Sequence, residues 1–262
     1  IIKRGLKGPS SKSSQSMRKS KKTLEKEDLS LNIISNKSVL DLGGGRGGDF
    51  FKYKTNGANK LILMDISPDN IYNVEKGAAV RIMKSSFGNQ YFKSFISNSM
   101  LILGDMSKNI ANGDAALDNL NKYYLDILYG RIKPKSGKLS RMFNVGINGF
   151  DLVVCNLAIH YMFKSKDILH HFLENVQQNL VSKGYFIGTF LDGNEIIKSL
   201  KDKTKIEGYH EKTKKLVWSI EKVNPKDDLF EDNNFINQRI IAYMDTFMKP
   251  TEEYLVDIDF LE

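Results

Sequence analysis

The sequence predicts an α/β fold: a mostly parallel sheet with helices on both faces, carrying a small β flap. Three observations predict it. Short apolar runs at residues 39–42, 61–64 and 100–103 each end at a glycine or an acid, as buried strands do where they meet a turn. Segments with helical apolar spacing lie between those runs, and such alternation builds parallel sheets covered on both sides. Beyond residue 205 the pattern changes to two β-rich runs, 215–222 and 239–246, which read as an antiparallel flap.

In order along the chain, residues 1–22 are rich in Lys, Arg, Ser and Gly and read as a flexible basic arm. Residues 24–34 suit a short helix. Residues 38–49 read SVLDLGGGRGGD, a strand that opens into a glycine turn and then, from Phe50, into a helix. Residues 67–86 read as one helix, capped by Ser67 or Asp69, with Ile71, Val74, Ala78 and Ile82 as its apolar stripe. Residues 87–99 are aromatic and ambiguous. Residues 111–149 are long for a connection in a compact domain and read as an insertion, helical over 117–128 and basic over 129–140. Residues 150–158 form a fourth strand, 167–181 an amphipathic helix, and 185–190 a fifth strand. Another helix begins near Glu195.

Composition narrows the function. The 262 residues suit one large domain or two small ones, and the net charge of +8 favours a polyanionic partner. One cysteine, Cys155, excludes an internal disulfide and any cysteine-based metal cluster. No apolar stretch approaches a membrane span, no signal peptide is visible, and a reducing, cytoplasmic setting fits. Nor does any His/Asp cluster have metal-ligand spacing.

The chemistry centres on the glycines. Gly43, Gly45 and Gly48 fit G-x-G-x-x-G, which alone would suit a dinucleotide. Asp65 closes the next strand about 20 residues on, where an acid accepts ribose hydroxyls. Asp105 closes a third strand, on the adenine side. Glycine loop, ribose acid and adenine-side acid at successive strand tips form the pattern of class I, Rossmann-like S-adenosylmethionine (SAM) methyltransferases. An NAD-dependent oxidoreductase is disfavoured because no hydride-transfer constellation is visible.

At FDLVVCNLAIHYMF, residues 150–163, the resemblance becomes specific. Together with LDLGGGRGGD before it, and GYFIGTFLDGNEIIKSL and EEYLV after it, this segment resembles the mRNA cap guanine-N7 methyltransferases. Within them it is most similar to the methyltransferase domains of capping enzymes from large cytoplasmic DNA viruses. The resemblance runs from about residue 19 to residue 255. The sequence departs from the family at Gly44 and Arg46, where cysteine and lysine are usual, at Leu157, where an aromatic is usual, and in the long 111–149 stretch. The family also continues beyond EYLV with a helix and two strands. With a start at Ile1, the chain is therefore expected to be a C-terminally incomplete piece cut from a larger capping enzyme.

The resemblance implies SAM as cofactor, S-adenosylhomocysteine as product and capped RNA (a GpppN 5′ end) as partner. It also allows upstream triphosphatase and guanylyltransferase domains and a stimulatory subunit. It implies cofactor contacts from Lys19, Asp41, Gly43, Gly45, Asp49, Asp65, Asp105, Met106, Asn156 and Leu157. His160, Tyr161 and Glu253 match the guanine site, with Glu252 as an alternative acid; Arg46, Lys76 and Arg81 would neutralise the cap triphosphate. No general base is expected, because guanine N7 carries a free lone pair. The competing reading is a catalytically inactive SAM-fold RNA-binding or regulatory module of a capping complex.

Overall fold

A computed structural model describes residues 34–86, 90–135, 137–224, 235–245 and 249–261. The basic arm, Lys19 and most of the predicted 24–34 helix lie outside them. Five strands, β1 (Ser38–Leu42), β2 (Lys60–Asp65), β3 (Ser99–Leu103), β4 (Phe150–Asn156) and β5 (Leu180–Thr189), form one sheet in the order β3-β2-β1-β4-β5. Every pair is parallel. The chain steps outward from β1 to β3 and then returns to β4 on the other side of β1. The strand order therefore reverses between β1 and β4, and the crevice beyond their C-terminal ends is where such sheets bind ligands.

Alternation along the strands sorts the core onto two faces. Leu40, Leu42, Ile62, Met64, Ile102, Val153 and Cys155 turn to one side. There they meet Leu125 and Leu128 of α5 (Asn119–Leu128) and Leu169 and Phe172 of α6 (Lys166–Gln178). Val39, Leu61, Leu152 and Val154 turn to the other side. They pack on Phe50 and Tyr53 of α1 (Phe50–Thr55), Ile82 of α3 (Ala78–Ser86) and Phe95 of α4 (Gln90–Ser97). Each such aliphatic or aromatic side chain contributes roughly 1.5–3 kcal/mol by leaving water. Strands apolar on both faces require cover on both sides, which these two layers of helices supply.

The predicted helix over 67–86 is two helices, α2 (Pro68–Tyr72) and α3. Ser67 caps α2, its hydroxyl accepting from the Asn70 N–H. The break lies at Asn73, whose side-chain oxygen accepts from the N–H groups of Glu75 and Lys76 and so competes with helix continuation. A Cβ on Gly77 would stand 2.6 Å from the Asn73 backbone nitrogen. The stripe fails with it: Ile71, Ala78 and Ile82 are buried, whereas Val74 is 85% exposed. The ambiguous segment before β3 resolves as α4. Residues 182–184 do not separate helix from strand. They form a bulge within β5, where the register jumps from Phe150↔Leu180 to Leu152↔Tyr185.

The flap is larger than the sequence suggested. β7 (Leu216–Lys222) and β8 (Arg239–Met244) pair antiparallel as expected, but β6 (Lys205–Tyr209) and β9 (Thr251–Tyr254) extend them to four strands in the order β6-β7-β8-β9. Ile240 and Ala242 from this sheet, with Leu255 just after β9, pack on Ile196 and Leu200 of α7 (Gly193–Leu200). The segment after β9 returns to the first sheet: Gly193 N–H donates to the Val256 carbonyl, and Val256 is buried in the main core. Among the described residues no helix is long and apolar enough to cross a membrane.

Candidate functional site at the strand switch

The glycine loop sits at the mouth of the β1–β4 crevice. Gly43 and Gly44 N–H groups donate to the Met64 carbonyl, folding the loop back over β2. Gly43 has φ +70°, and a Cβ there would stand 2.5 Å from the Cβ of Ala158. Gly45 has φ +56° with nothing within 4 Å of a Cβ, so the backbone is bare and the space beside it open. The Gly45 N–H donates to Asp65 Oδ2 at 2.8 Å.

Asp65 therefore does more than the sequence suggested. Its other oxygen accepts from the Ser67 N–H at 2.9 Å and from the Asn70 amide at 3.0 Å. Three of a carboxylate's roughly four acceptor positions are thus filled by the chain itself, leaving one for a ribose hydroxyl. Asp105 accepts from the Ser107 N–H and hydroxyl. Met106 is buried next to Gly43 and presents an apolar wall. Its backbone is pinned by Asn175 of α6, whose amide donates to the Met106 and Lys108 carbonyls and whose oxygen accepts from Ile110 N–H.

Asp41 lies under the loop and is nearly sealed from solvent. Burial pushes its carboxyl up to about 7, with the neighbouring carboxylates Asp49 and Asp65 adding to the rise and the Tyr53 hydroxyl opposing it. Tyr53 is close enough to act on that carboxyl, yet its buried hydroxyl has no partner in hydrogen-bond geometry. Tyr53 is not among the site residues named on sequence grounds. Its place on α1, one helix turn after Asp49, is the signal that was there to read.

On the other lip, Asn156 at the end of β4 donates to Asp49 Oδ2 at 2.9 Å and accepts from the Thr189 hydroxyl. Asp49 also bonds Lys52 at 2.6 Å. Burial would raise Asp49, but the Lys52 and Asn156 hydrogen bonds prevail and hold it below the usual carboxylate range. Leu157 follows with φ +53°, half-exposed, a conformation costly for a branched side chain and characteristic of binding sites. Cys155 is fully buried, and burial pushes its thiol up, so it is inert packing.

Beyond Leu157 the chain forms a 3₁₀ turn, Ile159–Lys164, against which β9 lies. The guanine-site candidates meet there. His160 is buried, its Nε2 has no hydrogen-bond partner, and Glu253 Oε2 stands 3.9 Å away. That separation is too long for a hydrogen bond. Burial lowers His160 to about 4 and raises Glu253 despite the Thr251 hydroxyl, so the imidazole is neutral and the two do not form an ion pair. The Tyr161 ring lies against His160, centroids 4.1 Å apart and tilted by 49°, and remains half-exposed. Burial, Glu253 and Asp65 together push its hydroxyl up, so Tyr161 feels the carboxylates of both halves of the crevice. Glu252 instead pairs with Arg239 on the exposed side of β9.

The cation candidates divide. Arg46 is paired with Asp69 at 2.6 Å. Lys76 and Arg81 are exposed and, among the described residues, have no carboxylate within ion-pair distance; they flank a groove of about 430 Å³ with Phe51, Glu75, Lys84 and Ser85. No three His, Cys, Asp or Glu side chains group as metal ligands among the described residues.

Parallel sheet, glycine loop, strand-tip acids and open switch crevice define a class I, Rossmann-like SAM-dependent methyltransferase. A family model described as the mRNA (guanine-N(7))-methyltransferase domain matches residues 21–228. The chain belongs to that family. It is 29% identical over 177 residues to an mRNA cap guanine-N(7) methyltransferase of Caenorhabditis elegans, covering 68% of this chain and 37% of that protein. It is 26% identical over 234 residues to a probable mRNA-capping enzyme of Acanthamoeba polyphaga mimivirus, covering 86% of this chain and 18% of that protein. The chain thus spans well under half the length of these relatives. A solved SAM-dependent methyltransferase from Clostridium acetobutylicum aligns over 92% of this chain and 75% of its own, at 14% identity and a TM-score of 0.48.

Proposed function

We propose that this chain transfers a methyl group from SAM to guanine N7 of the GpppN end of mRNA, as the methyltransferase unit of a longer capping enzyme. The observation that carries the reading is the unpartnered, buried His160 Nε2 facing Glu253 beside Tyr161, at the strand tip that also closes the glycine loop. A buried polar atom without a partner costs about 1–3 kcal/mol, and a ligand that supplies the partner recovers it.

The residues fit the cofactor. Bare backbone at Gly45 leaves room for it, Met106 offers an apolar wall, and Asp65 keeps one acceptor position. In this reading Gly43, Asp49, Asn156 and Leu157 line the methionine portion, Asp41 answers its ammonium group, and Lys19 meets its carboxylate. SAM, when bound, supplies an electrophilic methyl group on a sulfonium sulfur.

Glu253 accepts from the guanine N1 and N2 donors, neutral His160 donates to O6, and Tyr161 provides the stacking face, worth roughly 1–3 kcal/mol. Together they hold N7 in line with the methyl group, and proximity and orientation supply the acceleration without a base. As positive charge passes to the guanine ring, Glu253 binds that form more strongly than the neutral one. Arg46, Lys76 and Arg81 answer the triphosphate.

The test is methyl transfer from labelled SAM to GpppA- or GpppG-capped RNA, with N7 identified in the digested product. N7-methylguanosine supports the reading. SAM binding without transfer favours the inactive RNA-binding module, and absence of both overturns it.

A further inference from the structure

We propose that the groove between α1 and α3, beside the glycine loop, takes the first transcribed nucleotide of the capped RNA, its base on Phe51 and its 3′ phosphodiester on Lys84. This deepens the cap-methyltransferase reading and rests on it. The groove holds about 430 Å³ and is lined by Phe51, Glu75, Lys76, Arg81, Lys84 and Ser85.

Phe51 is 41% exposed although it lies on a helix whose neighbour Phe50 is fully buried. Its ring is braced edge-on by Phe50, with centroids 5.8 Å apart, and by Phe92 at 5.5 Å. A braced, exposed aromatic costs little ordering entropy when a flat ligand lands on it. Around it stand Lys76, Arg81 and Lys84, which have no carboxylate within ion-pair distance among the described residues, whereas the nearby Arg46 and Lys52 are both paired. Lys84 Nζ donates to the Glu75 carbonyl at 3.5 Å. An aromatic face set among uncommitted cations is how proteins hold single-stranded nucleic acid without reading its sequence.

Position decides which nucleotide. Arg81 reaches back to the glycine loop, its guanidinium 3.9 Å from where a Cβ on Gly48 would stand. A triphosphate held by Lys76 and Arg81 would leave the next nucleoside beside Phe51 and its following phosphate beside Lys84, in the same groove. Glu75 lines the same groove, where its backbone carbonyl, not its carboxylate, meets Lys84.

The experiment compares wild type, Phe51→Leu and Lys84→Ala with two probes: GpppA and a 3′-fluorescein, GpppA-capped RNA ten-mer. Phe51→Leu keeps packing against Phe50 and Phe92 while removing the flat face, and Lys84→Ala changes an exposed residue. Binding of the ten-mer, read by anisotropy, is expected to weaken about five- to tenfold in Phe51→Leu with an unchanged salt slope. In Lys84→Ala the slope of log affinity against log salt is expected to shrink by about 0.7, one single-strand phosphate. Methylation of GpppA, which carries the adenosine but no 3′ phosphodiester, stays within about twofold of wild type in Lys84→Ala, whereas its KM rises about five- to tenfold in Phe51→Leu with kcat held. Unchanged ten-mer binding, an unchanged KM for GpppA in Phe51→Leu, or a GpppA loss in Lys84→Ala as large as its ten-mer loss, overturns the proposal. If wild type fails to methylate GpppA, the proposed activity falls while the anisotropy arm still decides the groove.

Discussion

His160 and Glu253 meet at 3.9 Å without bonding, one kept neutral and the other pushed up by burial. Such a pair is poised for a flat ligand that donates to the acid and accepts from the imidazole. Glu253→Gln keeps the shape but replaces one acceptor with a donor. It is expected to lower kcat/KM on capped RNA by about 10–100-fold, on the order of one lost charged hydrogen bond. SAM affinity, measured by calorimetry, should not move; a matching loss there would remove Glu253 from the guanine site. At this scale the sequence was partly legible. HY and EEY name these residues by resemblance, and in the structure Glu253 stands opposite His160 while Glu252 pairs with Arg239 across β8 and β9. The orphan on His160 was not legible, because it depends on what fails to reach that nitrogen.

At the scale of elements, two joints hold the site together. Asn175 ties α6 to the loop after β3 through three hydrogen bonds in a buried setting. Asn175→Leu leaves those backbone groups unpaired and is expected to cost roughly 3–5 kcal/mol, lowering Tm by about 10 °C. A fall of only a degree or two would show that water replaces the amide. Gly193 is the second joint. A Cβ there would lie 2.6 Å from the Val256 carbonyl, and backbone cannot yield as a side-chain tip can. Gly193→Ala is therefore expected to displace the segment that follows β9, raising KM for capped RNA several-fold while SAM affinity holds. Equal damage to both affinities would contradict a local effect. The five parallel strands were readable from apolar runs bounded by turn signals. β6 and β9 were not: KIEGY and TEEY carry few apolar residues, and only pairing with β7 and β8 makes them strands.

For the molecule as a whole, two buried groups set opposing responses to pH. Asp41 titrates near 3.8 unfolded and at about 7 folded, so the folded state holds its proton longer. Its contribution is fully present below pH 4 and is lost as pH rises to about 7, up to an order of 4 kcal/mol. His160 runs the other way, from 6.5 unfolded to about 4 folded, favouring the fold above pH 6.5 and losing that advantage as pH falls to 4. Asp41→Asn removes the first term. Thermal unfolding without cofactor should find the variant gaining on wild type from pH 4 to 7 and level above that. A constant difference across the range would mean that Asp41 is not held protonated.

The two halves of the crevice come from distant parts of the chain. The glycine loop and all five parallel strands end by Thr189, whereas the acid opposite His160 arrives on β9. Chains leave the ribosome N-terminus first. A nascent chain halted short of Thr251 thus already carries the glycine loop and its strand-tip acids, but nothing to stand across from the imidazole. Order of synthesis becomes an order of assembly: the glycine loop is written well before the strand that stands opposite His160.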